Sequence, residues 1–150
     1  MYIFDFQKRV RYSEIDQMGY LYHGRYVDYY EIGRAEMLRA LGLTYREMEE
    51  IHKVMLPVAS LEMRYIRPAR YDEMLTIRTT LRQFPTDKHM VFYVEVFNEA
   101  KKLVNGGRVR LVFVDMNTMR PMSPPTFFTN LLVQFFPEHA SEPALGEHQP

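Results

Sequence analysis

The feature that most constrains how this chain can fold is a single long helical pattern between one strand and a run of strands. Apolar residues recur at helical spacing from about residue 25 to 41, and Gly42 follows as a typical C-cap. The predicted apolar stripe comprises Val27, Tyr30, Met37, Leu38 and Leu41. Residues 2–12 carry the pattern of a strand, so only a loop separates the first strand from the long helix.

After this helix the sequence changes to β-type patterns. A predicted capping box at Thr44 and Glu47 starts a short second helix, and a further helical segment is predicted at 127–136. The predicted strands between them are 55–66, 75–82, 91–97 and 107–116. This order predicts an α+β domain in which the long helix covers one face of an antiparallel five-stranded sheet. One helix cannot also shield the sheet edges, so we expect dimerisation through an edge strand.

Length and composition narrow the class of protein. The 150 residues suffice for one domain, which we place at 1–136, and we expect the apolar-poor tail 137–150 to be disordered. The absence of cysteine excludes disulfides, thiolate metal sites and cysteine nucleophiles. With 19 basic and 19 acidic residues the net charge is zero, which argues against nucleic acid as a partner. The start is not signal-like and no apolar run reaches about 20 residues, so we expect a cytoplasmic protein without a membrane span.

Reactive side chains concentrate in one loop, residues 12–24, directly before the long helix. Asp16 precedes Gly19, His23 and Gly24 there, and the histidines elsewhere show no metal-ligand spacing. The unpaired N–H groups of a helix N-terminus can stabilise the oxyanion of an acyl-transfer step. A carboxylate just upstream can fold back to attack the carbonyl or to activate a water. The residues alone leave a second interpretation open, in which Asp16 only caps a turn and His23 only lies at a helix end.

An ordered set of motifs extends beyond this loop. The motifs are VRYSEIDQMG (10–19), YHGRY (22–26), YEIGRAE (30–36), LPV (56–58), YIRPARYD (65–72) and VD (114–115). Together they resemble the 4-hydroxybenzoyl-CoA thioesterase family, and especially its bacterial acyl-CoA thioesterases that include the Tol–Pal-associated enzyme. The resemblance implies the hotdog fold, in which a curved antiparallel five-stranded sheet wraps around one long central helix. Glu14, Ile15 and Gly33 depart from the family pattern, and Ile15 stands where many members have threonine.

The resemblance also implies roles for particular residues. It places the catalytic carboxylate at Asp16, with His23 orienting the carboxylate, the substrate or a water. It implies that a backbone N–H of Tyr22, His23 or Gly24 polarises the thioester carbonyl. For substrate and CoA binding it points to a further set, which comprises Gly19, Tyr26, Arg82, Lys88 and His89. For these residues a structural or solvated role stays open as the alternative.

The expected reaction is hydrolysis of an acyl-CoA thioester to free acid and CoA, with Asp16 as nucleophile or general base. The resemblance implies no cofactor and no metal. It implies a homodimer or homotetramer with CoA along a subunit interface. Two alternatives stay open, namely hydrolysis of acyl groups from acyl carrier protein and binding of acyl-CoA without turnover.

Overall fold

In the computed structural model, which describes residues 1–140, one long helix lies against a five-stranded antiparallel sheet. The strands are β1 (Tyr2–Arg9), β2 (Val54–Met55), β3 (Val58–Tyr65), β4 (Met74–Leu81), β5 (His89–Phe97), β6 (Leu103–Val112), β7 (Val114–Asp115) and β8 (Arg120–Pro121). The helices are α1 (Tyr26–Ala40), α2 (Tyr45–Glu50) and α3 (Thr126–Leu132). The large sheet has the order β1-β4-β5-β6-β3, and β2, β7 and β8 form a small second sheet. The α+β hotdog prediction is confirmed, with β1 and β3 as the edge strands.

Helix α1 covers one face of the large sheet because one of its sides is apolar and almost wholly buried. The predicted stripe is correct for Tyr30, Met37 and Leu38, which are at most 1% exposed. It is wrong at Val27, which is 46% exposed. Tyr26 and Tyr29 point inward instead, so the buried side of α1 begins with a row of tyrosines.

The helix approaches β4 closely at Gly33. A β-carbon at this position would lie 2.5 Å from Thr79 Oγ1 and 2.8 Å from Ile77 Cγ2. Thr79 is fully buried, and its hydroxyl has no hydrogen-bond partner within residues 1–140. An alanine here would require the buried side chains of Thr79 and Ile77, or the helix itself, to move, so this departure from the family pattern fits the short distance between α1 and the sheet.

Several predicted boundaries differ from the structure. The first strand ends at Arg9, because the chain leaves the sheet at Val10 and turns at Tyr12–Glu14. The single strand predicted at 55–66 is wrong, since β2 and β3 belong to different sheets. The capping role of Thr44 is confirmed, because its Oγ1 accepts a hydrogen bond of 3.1 Å from the Glu47 N–H.

The last described segment closes the end of the core that lies away from the loop 12–24. Helix α3 is followed by a turn at Val133–Phe135, in agreement with the helical prediction for this region. The ring of Phe135 stacks on Tyr2 of β1 with 4.1 Å between centroids. Phe128 of α3 packs edge-on against Phe113, 5.3 Å away. The first contact joins β1 to the turn after α3, and the second joins α3 to the residue between β6 and β7.

The described residues extend a short way into the tail 137–150, for which we predict disorder. Pro137–His139 form a turn there, and the His139 ring stacks on Phe84 at 4.4 Å. Aromatic packing fixes the segment although its composition is poor in apolar residues. The rest of the predicted tail, 141–150, lies outside the described residues.

The edge strand β3 is unusually open on both faces. Only Met63 among its eight residues is half-buried, and the others are exposed. The exposed residues include the apolar side chains of Val58, Leu61 and Tyr65, at 50%, 37% and 54%. An exposed strand edge with apolar side chains is a surface on which another strand can pair.

Within residues 1–140, no helix combines the length and the hydropathy needed to cross a bilayer. The same part of the chain holds no group of three or more His, Asp or Glu side chains with the geometry of a metal site.

Candidate active site

The segment around Asp16 forms a small hairpin rather than an open loop. Ile15 and Leu21 pair across it, and the Asp16 N–H donates to the Tyr20 carbonyl at 2.8 Å. The chain reverses at Gly19, whose φ of +78° lies in the left-handed region that favours glycine. The Gly19 N–H closes the turn on the Asp16 carbonyl at 2.9 Å. Asp16 is therefore held at a defined place in the hairpin.

One carboxylate oxygen of Asp16 stabilises the turn of the hairpin. Its Oδ1 accepts hydrogen bonds from the N–H groups of Met18 at 2.9 Å and of Tyr20 at 3.2 Å. Its Oδ2 accepts no hydrogen bond from any residue in 1–140. The turn-capping interpretation and the catalytic interpretation are therefore compatible, because each needs a different oxygen of the same side chain.

Asp16 and His23 both line one cleft of about 300 Å³. The other lining residues that matter here are Leu21, Tyr26, Tyr65 and Ile66. The structure thus brings together three of the predicted site residues: Asp16, His23 and Tyr26. Gly19 shapes the hairpin but does not line the cleft. Apolar walls with a few polar groups are typical of a small-molecule site.

Tyr65, at the end of β3, lines the cleft although the sequence analysis did not predict it as a site residue. Its ring packs nearly perpendicular to Tyr26 at 5.4 Å, and its hydroxyl donates to the His23 carbonyl at 3.0 Å. Burial, with smaller contributions from Tyr65 and Glu73, raises the pKa of Tyr26 to about 12. Tyr26 therefore stays protonated at neutral pH and can serve there as a wall or a hydrogen-bond donor but not as a base.

A short turn at His23–Arg25 precedes α1 and presents backbone N–H groups next to the cleft. The Tyr22 N–H already donates to the Glu14 carbonyl at 2.9 Å, so it is not available to a substrate. The N–H groups of His23 and Gly24 have no acceptor within the described residues. Of the three N–H groups predicted as candidate oxyanion donors, those of His23 and Gly24 are thus the two without an acceptor. The Tyr22 ring lies over Gly24, where a β-carbon would come within 2.8 Å of it.

The residues predicted to bind CoA, Arg82, Lys88 and His89, lie outside this cleft. His89 lines a cleft of about 430 Å³ on the face of the sheet away from α1, with Ser60 and Arg110 among its other lining residues; we call it the outer cleft. Arg82 does not line this cleft, and its guanidinium lies 3.6 Å from the centroid of the Tyr93 ring. Lys88 is exposed at the loop before β5, and it does not line the outer cleft either.

The outer cleft is far from Asp16 in the same chain. Ser60 pairs with Arg110 near one end of β3, whereas Tyr65 pairs with Asn105 at the other end. The two positions are five residues apart along the strand, a distance of about 17 Å, and the clefts are on opposite faces of the sheet. One protomer therefore does not bring Arg82, Lys88 and His89 to the reacting groups.

The chain is similar to known thioesterases over most of its length. Residues 10–132 match the family model described as "Thioesterase-like superfamily". The acyl-CoA thioester hydrolase YbgC of Escherichia coli O6:H1 is 32% identical over 123 residues, which are 82% of this chain and 90% of that protein. The acyl-CoA thioesterase YbgC of Haemophilus influenzae is 26% identical over 81% of this chain and 88% of that protein. The crystal structure of a DHNA-CoA thioesterase from Staphylococcus aureus superposes with a TM-score of 0.76 at 28% identity, covering 92% of this chain and 86% of that one.

Proposed function

The chain belongs to the thioesterase-like superfamily, and from this premise we propose that it hydrolyses acyl-CoA thioesters to a free acid and CoA. One observation carries the proposal. Asp16 lies in an aromatic-walled cleft with Oδ2 unbonded, beside a turn at which the His23 and Gly24 N–H groups lack acceptors. The names of the two relatives as acyl-CoA thioester hydrolase and acyl-CoA thioesterase support the same substrate class.

The proposed chemistry uses only groups of this cleft. Hydrolysis joins a water oxygen to the thioester carbonyl carbon, breaks the C–S bond and delivers a proton to the CoA sulfur. As general base, Oδ2 of Asp16 takes a proton from the attacking water; as nucleophile, it forms a mixed anhydride that water then hydrolyses. The negative charge that develops on the carbonyl oxygen is stabilised by the N–H groups of His23 and Gly24. To the His23 imidazole, which lines the same cleft, we assign the role of orienting the water or the carboxylate.

A hydrolysis screen tests the substrate class. The wild-type protein is given acyl groups from acetyl to palmitoyl and a benzoyl type, each on CoA and on acyl carrier protein, and release of free thiol is followed. We expect turnover of CoA thioesters with a higher kcat/KM than for the same acyl group on the carrier protein. A preference for the carrier protein would instead identify a carrier-protein thioesterase. Binding of CoA without any thiol release would identify a non-catalytic binding protein.

The assembly belongs to the same proposal. Two β3 strands paired antiparallel would place the Ser60 end of one beside the Tyr65 end of the other. The partner's outer cleft would then lie at the end of the sheet that carries Asp16, on the opposite face, and we propose that CoA runs along the subunit interface towards its basic lining residues, Arg108 and Arg110. We therefore propose a homodimer through β3, or a homotetramer of two such dimers. The open edge and apolar side chains of β3 support this arrangement.

A charge placed on this edge tests the assembly. Leu61→Asp, on β3, is expected to shift the molar mass in solution to that of a monomer, because a buried carboxylate at the pairing edge is strongly unfavourable. The measurement is size-exclusion chromatography with light scattering. Ile3→Asp is the matched control, because Ile3 is 53% exposed on the other edge strand, β1. A Leu61→Asp protein with the wild-type mass would contradict dimerisation through β3.

A further inference from the structure

The side chain of Glu14, two residues before Asp16, accepts hydrogen bonds from three separate parts of the fold. Its Oε1 accepts hydrogen bonds from Lys8 Nζ at 2.9 Å, the Arg11 N–H at 2.8 Å and the Tyr29 hydroxyl at 2.9 Å. Lys8 comes from β1 and Tyr29 from α1. The side chains of Lys8 and Glu14 are only 15% and 12% exposed, and Tyr29 is fully buried. A charged hydrogen-bonded group with so little contact with water is held more firmly than a surface ion pair.

The backbone of Glu14 also contacts the segment in which the chain leaves the hairpin. The Glu14 carbonyl accepts the Tyr22 N–H at 2.9 Å, and Tyr22 directly precedes the turn with the free N–H groups. Glu14 therefore touches both ends of the hairpin as well as the first turns of α1. Glu14 is therefore one of the residues that fix the distance between the Asp16 carboxylate and the N–H groups of His23 and Gly24.

We propose that Glu14, held by Tyr29 and Lys8, is a positioning residue that sets the Asp16 carboxylate against the oxyanion donors. The proposal rests on the proposed role of Asp16, and Glu14 itself does not line the cleft. A shift of the hairpin by about 1 Å would separate the attacking oxygen from the carbonyl carbon that the N–H groups hold, which can cost about a hundredfold in rate.

The protonation states of the cluster fit this role. Burial by itself would raise the pKa of Glu14, but the hydrogen bonds from Lys8, the Arg11 N–H and Tyr29 outweigh it and lower the pKa. Burial and the bond to Glu14 raise the pKa of Tyr29 well above its ordinary value. The carboxylate therefore stays ionised and the phenol stays protonated at neutral pH, so the donor and acceptor roles are fixed.

Two substitutions test the proposal by removing single interactions. Tyr29→Phe deletes only the hydroxyl, and Glu14→Gln removes the charge while keeping the size of the side chain. We expect kcat to fall about tenfold for Tyr29→Phe and about thirtyfold to a hundredfold for Glu14→Gln, with KM within a factor of two. The double variant is expected to be no slower than Glu14→Gln alone, because both changes release the same contact.

Matched controls separate positioning from general stability. Tyr2→Phe also removes a buried hydroxyl that bonds α1, through the Met37 carbonyl at 3.2 Å, but at the other end of the helix. Asp5→Asn neutralises an exposed carboxylate of β1, which pairs with Arg78 of β4. Both controls are expected to keep the wild-type kcat, whatever their melting temperatures.

Asp16→Asn, assayed in the same series, distinguishes the two levels of the proposal. An inactive Asp16→Asn with normal kcat in both Glu14→Gln and Tyr29→Phe overturns the positioning role alone. A fully active Asp16→Asn overturns the catalytic role of Asp16 and the positioning role with it. Loss of kcat in Tyr29→Phe that is matched by Tyr2→Phe would also overturn the proposal, because the effect would then be one of stability.

Discussion

Asp16→Asn is expected to lower kcat by at least about 10³-fold while leaving the protein folded. The asparagine Oδ1 can still accept the N–H groups of Met18 and Tyr20, so the hairpin keeps its shape. An amide group replaces Oδ2, and it can neither attack a carbonyl nor take a proton from water. The change therefore removes the chemistry and spares the turn.

Thiol release from the best acyl-CoA under saturating substrate measures this effect, together with thermal unfolding of the same samples. Asp28→Asn is the matched control, because Asp28 is an exposed carboxylate in the first turn of α1 and pairs only with Arg25, at 3.4 Å, within the described residues. It should keep both kcat and the melting temperature. If Asp16→Asn retained more than a tenth of the wild-type kcat, Asp16 would not be the reacting group.

Gly107→Ala is expected to cost about 3 kcal/mol of folding free energy, the largest effect on stability that we anticipate for a single methyl group. A β-carbon at position 107 would lie 2.0 Å from the Glu62 carbonyl oxygen and 2.8 Å from Met63 Cα. Both atoms belong to the backbone of β3, so they can yield only if the whole edge strand moves. The Tyr30 hydroxyl, also at 2.8 Å, blocks the remaining direction.

The neighbouring residue supplies the control. A β-carbon at Gly106 would meet only the Val94 carbonyl oxygen, at the ordinary contact distance of 3.8 Å. Gly106→Ala should therefore change the free energy of unfolding by less than about 1 kcal/mol. Denaturant unfolding of the two variants measures the difference, and equal midpoints would refute the close approach of β3 to β6 at Gly107.

The sequence predicts best what depends on neighbours along the chain. The helical spacing predicts a helix over 25–41, and α1 runs from Tyr26 to Ala40. The prediction succeeds because the burial of one side of a helix leaves its pattern within a single segment. The division of 55–66 into β2 and β3 is invisible in that pattern. Which sheet a strand joins is decided by residues far away, here β7 for β2 and β6 for β3.

The same distinction holds for the candidate site. Asp16 and His23 are seven positions apart, so one motif could place them together. Tyr65 reaches the cleft from the end of β3, and no spacing within the motif indicates that wall. The cluster around Glu14 depends on the packing of β1 against α1. No sequence pattern predicts it, because its residues come from separate segments.

The stacking of Tyr2 on Phe135 bears on how the chain folds as it is synthesised. A ribosome releases β1 first, yet β1 pairs with β4, and its first residue packs on a ring from beyond α3. Contacts between such distant residues form late and slow the folding of small domains. This end of the core therefore cannot close until α3 has left the ribosome, and until then the apolar face of β1 is open to chaperones.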